Sequence, residues 1–174
     1  QSWSQSVKGL ELSFDSTRSI GIHDLLWVND TLILAGTVDG MARSTDNGIS
    51  WAKYALLKYA CRGLSRLSQN VLLAGSDKAL FRSTNLGTTW DSVAALILSR
   101  RAIVLSDGRI LLKTYQGIYF SDDNGVSWQP TSAPTNIGGY FTVNSTSTVF
   151  TADYYKGIFR STDRGYSWTE SEVG

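Results

Sequence analysis

The sequence predicts an all-β protein assembled from four copies of one four-stranded antiparallel sheet. Three observations predict it. An eight-residue turn of polar and aromatic residues recurs four times at nearly constant spacing. Short apolar runs, separated by Asn, Asp, Gly and Ser, precede each copy. The chain is rich in Gly (16), Tyr (8) and Trp (6) and poor in Pro (2) and Met (1), which suits strands and tight turns better than helices.

The turn reads Ser44-Thr45-Asp46-Asn47-Gly48-Ile49-Ser50-Trp51 in its first copy, and its opening serines fall at 44, 83, 121 and 161. Ahead of each copy comes an apolar run, a polar turn, a second apolar run, a short linker and a third run. In the first repeat these are Asp24 to Val28, Asn29-Asp30, Leu32 to Ala35, and Met41 to Arg43. The Trp of the turn is expected to open a fourth strand, at Trp51, Trp90, Trp128 and Trp168. Runs of three to five residues bounded by turn formers are strands, and four per repeat of about 40 residues is a blade of a β-propeller. The blades are expected at about 20–56, 60–95, 99–133 and 137–173, within one domain spanning 1–174. Residues 1–12, with Trp3, read as an extra outer strand.

Each residue type in the turn has a mechanical role. Asp46, Asp123 and Asp163 accept backbone N–H groups inside a tight turn. Gly48, Gly87, Gly125 and Gly165 are expected where φ is positive. The four tryptophans bring large apolar area to the neighbouring blade. In the second copy Asn85 stands in the Asp position, which predicts a weaker turn there. Asp122-Asp123-Asn124-Gly125 is oxygen-rich but misses the ligand spacing of a calcium loop, so no metal and no cofactor are expected.

The pattern Ser-x-Asp-x-Gly-x-x-Trp resembles the Asp-box (BNR) repeat of propellers such as sialidases, xyloglucanase-type glycosidases, sortilin-type receptors and photosystem assembly factors. The matching positions are Ser44, Asp46, Gly48 and Trp51; Ser83, Asn85, Gly87 and Trp90; Ser121, Asp123, Gly125 and Trp128; Ser161, Asp163, Gly165 and Trp168. In a four-stranded meander the first-to-second turns and the boxes share one face. The second-to-third linkers and the blade-to-blade connections share the other, and the resemblance implies that ligands bind on that second face, around the central channel. Counting back from each box serine places His23, Arg62 and Arg100 at equal positions on that face, with Arg101 adjacent. The linkers add Asp39, Tyr115, Asp153, Tyr154 and Tyr155. Arginines suit a carboxylate or another anion, and tyrosines suit a sugar face or a protein partner.

Catalysis is harder to find. A sialidase resemblance implies three arginines, a Tyr nucleophile with a Glu partner and an acidic proton donor. The Arg-Ile-Pro opening motif of that family is absent, and the glutamates are Glu11, Glu170 and Glu172. Glycoside hydrolysis otherwise needs two facing carboxyl groups. Cys61 with His23 is a conceivable nucleophile and base, but packing is the simpler reading. The expectation is a non-catalytic binding or scaffold propeller that recognises a glycan or protein. The alternative is a piece of an Asp-box glycoside hydrolase.

Charged residues make up 18% of the chain and the net charge is +1, which argues against a nucleic-acid partner. No apolar run of about 18 residues predicts a membrane span. Cys61 is a single cysteine, so there is no internal disulfide. The chain opens on Gln1 rather than Met, which together with the resemblance gives the expectation of an extracellular or periplasmic protein. Both ends read as outer strands, which fits a small propeller with an extra N-terminal strand, a segment of a longer repeat array, or a partial ring that completes itself by self-association.

Overall fold

The computed structural model describes residues 21–54, 59–96, 98–133, 140–153 and 156–171. The expected outer strand at 1–12 lies outside the described residues. Within them, 16 strands form four separate four-stranded antiparallel sheets, each a simple meander. Blade 1 is β1 (Ile22–Trp27), β2 (Ile33–Thr37), β3 (Gly40–Ser44) and β4 (Ala52–Tyr54). Blade 2 is β5 (Cys61–Arg66), β6 (Leu72–Ser76), β7 (Leu80–Ser83) and β8 (Asp91–Ala94). Blade 3 is β9 (Ile103–Val104), β10 (Ile110–Thr114), β11 (Gly117–Ser121) and β12 (Gln129–Pro130). Blade 4 is β13 (Phe141–Val143), β14 (Val149–Asp153), β15 (Gly157–Ser161) and β16 (Thr169–Glu170). This is the all-β architecture of successive propeller blades.

The outer strands begin one residue after the box tryptophan rather than on it. In three of the four boxes the tryptophan is tied to the turn, because its indole N–H reaches back to the box glycine carbonyl; the buried Trp51 Nε1 has no such partner. The Trp90, Trp128 and Trp168 Nε1 groups donate to Gly87, Gly125 and Gly165 at 3.2, 3.3 and 3.0 Å. The four box glycines have φ between 78° and 85°, where a Cβ is strained. The residue before each, Asn47, Leu86, Asn124 or Arg164, is left-handed too. Ser121 Oγ accepts the Gly125 N–H at 2.9 Å, and Asp123 accepts the Ser127 N–H and hydroxyl. In the second box Asn85 Oδ1 accepts the Thr89 N–H at 2.8 Å, so the amide closes the same ring.

The core lies between blades. Leu34 and Met41 of blade 1 pack on Leu64, Leu72 and Trp90 of blade 2. Leu73 and Leu80 of blade 2 pack on Ala102, Ile110 and Leu112 of blade 3. Leu105 and Leu111 of blade 3 pack on Val149, with Trp168 against them. At each of these three junctions the forward side of one sheet covers the rear side of the next. Parity holds as well: the Asn47 and Leu86 N–H groups, inside two boxes, donate to the carbonyls of Thr31 and Asn70 in the first-to-second turns.

Candidate functional site

On the face away from the boxes, the starts of the inner strands come together around a cavity of about 370 Å³. Its lining is His23, Asp24, Arg62, Arg100, Arg101 and Tyr140. His23 and Asp24 lie on β1 and Arg62 on β5, while Arg100, Arg101 and Tyr140 lie in the connections that lead into β9 and β13. All four blades contribute. Position drives this convergence, since every inner strand starts at the same level of its sheet.

The cations are held at different strengths. Arg62 forks onto Asp77 of the β6–β7 linker, Nε to Oδ1 at 2.7 Å and Nη2 to Oδ2 at 3.3 Å. Its Nη1 lies 3.4 Å from His23 Nε2. Arg101 reaches from blade 3 to blade 1, where its Nη2 donates to Asp24 Oδ1 at 2.5 Å and to the Leu25 carbonyl at 2.9 Å. Asp24 also accepts the Leu64 N–H of blade 2 at 2.8 Å. Arg100 is exposed; its backbone N–H donates to the Lys113 carbonyl at 2.9 Å, while its guanidinium has no hydrogen-bond or ion-pair partner among the described residues. Burial lowers the His23 pKa, and Arg62 and Arg100 lower it further, so the imidazole stays neutral beside the guanidiniums. Three guanidiniums face the carboxylates of Asp24 and Asp77, which leaves a positive surplus.

The other predicted residues lie elsewhere. Asp39 sits 4.0 Å from Lys53, and Tyr115 is exposed on the β10–β11 linker; neither lines this cavity. Asp153 is buried at the end of β14 and accepts the Lys156 N–H at 2.7 Å. Lys113, also buried, donates to Thr151 Oγ1 at 3.1 Å, and burial drives its pKa down to about 8. Tyr154 and Tyr155 lie outside the described residues. Cys61 is fully buried with its thiol pushed up to about 12, chiefly by burial, which removes it as a nucleophile. Among the described residues no cluster of three or more His, Cys, Asp or Glu side chains is placed to hold a metal ion. No helix there is long and apolar enough to cross a membrane.

Sequence reasoning missed Asp24 and Tyr140 as lining, and also a larger cavity of about 630 Å³ on the box face. Its charges are paired in part, while the buried Arg109 Nη1 has no hydrogen-bond partner among the described residues. Arg109 is buried, forks onto Asp122 at 2.7 and 2.6 Å, donates to the Tyr166 hydroxyl, and lies against the Phe120 and Tyr166 rings, which meet each other edge to face. Arg164 pairs with Asp107.

A BNR/Asp-box repeat model matches residues 119–130, the third box. No curated protein sequence matches the chain. Among solved structures, YCF48 bound to a D1 peptide aligns at 16% identity with a TM-score of 0.66, over 86% of this chain and 54% of that one. An ancestral GH74 enzyme aligns at 16% identity and TM-score 0.69, over 86% of this chain and 25% of that one. The extracellular domain of a putative one-component system from B. thetaiotaomicron aligns at 12% identity and TM-score 0.72, over 91% and 22%. The chain thus spans about half the length of YCF48 and a quarter or less of the other two. The four meander blades and these likenesses show that the chain has the β-propeller fold, with a BNR/Asp-box repeat matched at its third box.

Proposed function

We propose that this propeller is a non-catalytic binding module that captures an acidic segment of a protein partner on the face opposite the boxes. The observation that carries the reading is the cavity of His23, Arg62, Arg100 and Arg101, with the Arg100 guanidinium unpaired among the described residues. Asp24 and Asp77 pre-orient two of the guanidiniums, so a carboxylate meets donors already in place. Tyr140, 72% exposed at the rim, offers an aromatic flank for the partner's side chains. A peptide-bound YCF48 among the structural neighbours is in keeping with a protein partner. An exported setting belongs to the same reading and is in keeping with the extracellular bacterial neighbour.

The glycosidase reading has less behind it, even with a GH74 neighbour. The carboxylate lining the cavity, Asp24, is engaged by Arg101 and by the Leu64 N–H rather than poised as an acid or nucleophile.

Calorimetry with an Asp/Glu-rich peptide and its Asn/Gln counterpart tests the proposal. The acidic peptide should bind and the neutral one should not. Arg100→Ala should weaken binding roughly tenfold to a hundredfold, with a change in stability of at most about 0.5 kcal/mol. Binding should tighten as pH falls from neutral through the range where His23 takes up a proton, because a bound carboxylate offsets the charges that keep His23 neutral. Equal affinity for the two peptides, glycan binding without peptide binding, or aryl-glycoside turnover abolished by changing Asp39 or Asp153 would each overturn it.

A further inference from the structure

The repeat supplies a control for every position in it, and on the box face several departures from it fall at one place. The residue just ahead of the second strand, one before the partner of the box serine, is Leu32, Val71, Arg109 or Thr148 in blades 1 to 4. All four are buried, so blades 1 and 2 fill that place with apolar side chains and blade 3 fills it with an arginine 2% exposed. The residue after the box serine is Thr45, Thr84 or Thr162 in three blades and Asp122 in blade 3. Blade 4 brings Arg164 where the other boxes carry Asn47, Leu86 or Asn124, and Tyr166 where they carry Ile49, Thr88 or Val126. Arg109, Asp122, Arg164 and Tyr166 all line the cavity of about 630 Å³, together with Asp107 and Asn124.

Closing a blade does not require these residues, since the sibling blades close without them. A buried guanidinium is costly to desolvate, and an apolar residue in such a place is often as stable. Asp122 and Tyr166 offset part of that cost by accepting from Arg109 Nε and Nη2, yet the buried Nη1 lacks an acceptor among the described residues. The cavity carries no formal surplus of charge, because Arg109 stands against Asp122 and Arg164 against Asp107. A free anion would meet two carboxylates there, and a cation would meet two guanidiniums. A hydroxyl group is matched to both, because it accepts from a guanidinium and donates to a carboxylate, whose oxygens have lone pairs to spare. The volume lies within the range of small-molecule sites. Tyr166, 45% exposed, supplies an aromatic ring at its edge.

We propose that this cavity is a second binding site, on the box face, for a hexose unit of a neutral glycan. Ligand hydroxyl oxygens accept from the Arg109 and Arg164 guanidiniums, their protons go to Asp122 and Asp107, and the Tyr166 ring flanks the C–H groups of the sugar. The site uses no residue of the channel cavity and stands apart from the acidic-peptide reading.

An array of neutral and acidic glycans probed with the 174-residue chain, followed by calorimetry with a retained neutral oligosaccharide, tests it. Neutral glycans should be retained. Arg109→Val combined with Asp122→Thr installs in blade 3 the residues that blade 2 has at Val71 and Thr84. That double variant should keep the parent melting behaviour and weaken sugar binding roughly tenfold to a hundredfold. Tyr166→Thr, which copies Thr88 at an exposed position, should weaken it roughly threefold to tenfold. This second variant decides the outcome if the double variant fails to fold. Retention of no glycan, retention of acidic glycans alone, or sugar affinity unchanged in Tyr166→Thr or in the folded double variant would each overturn the proposal.

Discussion

On the box face, Asp123 accepts hydrogen bonds from the Val126 N–H, the Ser127 N–H and the Ser127 hydroxyl, and Ser121 donates to it as well. On the channel face, the Arg100 side chain has no such partner among the described residues, and Tyr140 stands in solvent. The residues that recur in every repeat are consumed in closing a turn. The residues that differ between repeats are the ones left facing outward. A repeat protein separates stability from recognition in this way, by putting the shared residues at one end of each sheet and the variable ones at the other.

The largest effect should come from the apolar part of the box. Trp90→Ala removes a side chain 8% exposed in the core between blades 1 and 2. It should cost about 3–5 kcal/mol in a denaturant titration, and an unchanged midpoint would break the assignment of the boxes to structure. Ser121→Ala should cost about 1–3 kcal/mol, because the buried Gly125 N–H loses its acceptor. The smallest effect concerns acid. Asp46 and Asp123 are held down to about 2 by their bonds to Ser50 and Ser127, against the ordinary value of 3.8. A depressed carboxylate stabilises the fold above its unfolded value and loses that contribution as pH falls through its folded value. The melting temperature should therefore drop between about pH 4 and about pH 2. Asp123→Asn, which copies the Asn85 box, should still fold and should flatten part of that drop.

Much of this was legible because a box has a fixed length and a meander has fixed parity. Four serines at even spacing give four sheets, and counting back from them brings His23, Arg62 and Arg100 to one level. What could not be read was lateral. Asp24 looks like one polar residue at the edge of an apolar run; its role appears when Arg101, 77 residues later, folds over blade 2 to reach it. Arg109 occupies a turn position filled by other residue types in the other blades, so no periodicity announces its stack with Phe120 and Tyr166. Contacts between blades depend on how sheets lean on each other, and a period along the chain carries no information about that.

The Arg101–Asp24 bond changes how such a molecule should come apart. An array in which every unit touches its neighbours alone frays from its ends, one unit at a time. A link that skips a unit makes blade 1 a stakeholder in blade 3: releasing the first blade also strips a partner from the third. Loss of order at the front of the array is thereby felt two blades away, and the three blades tend to melt as one cooperative block.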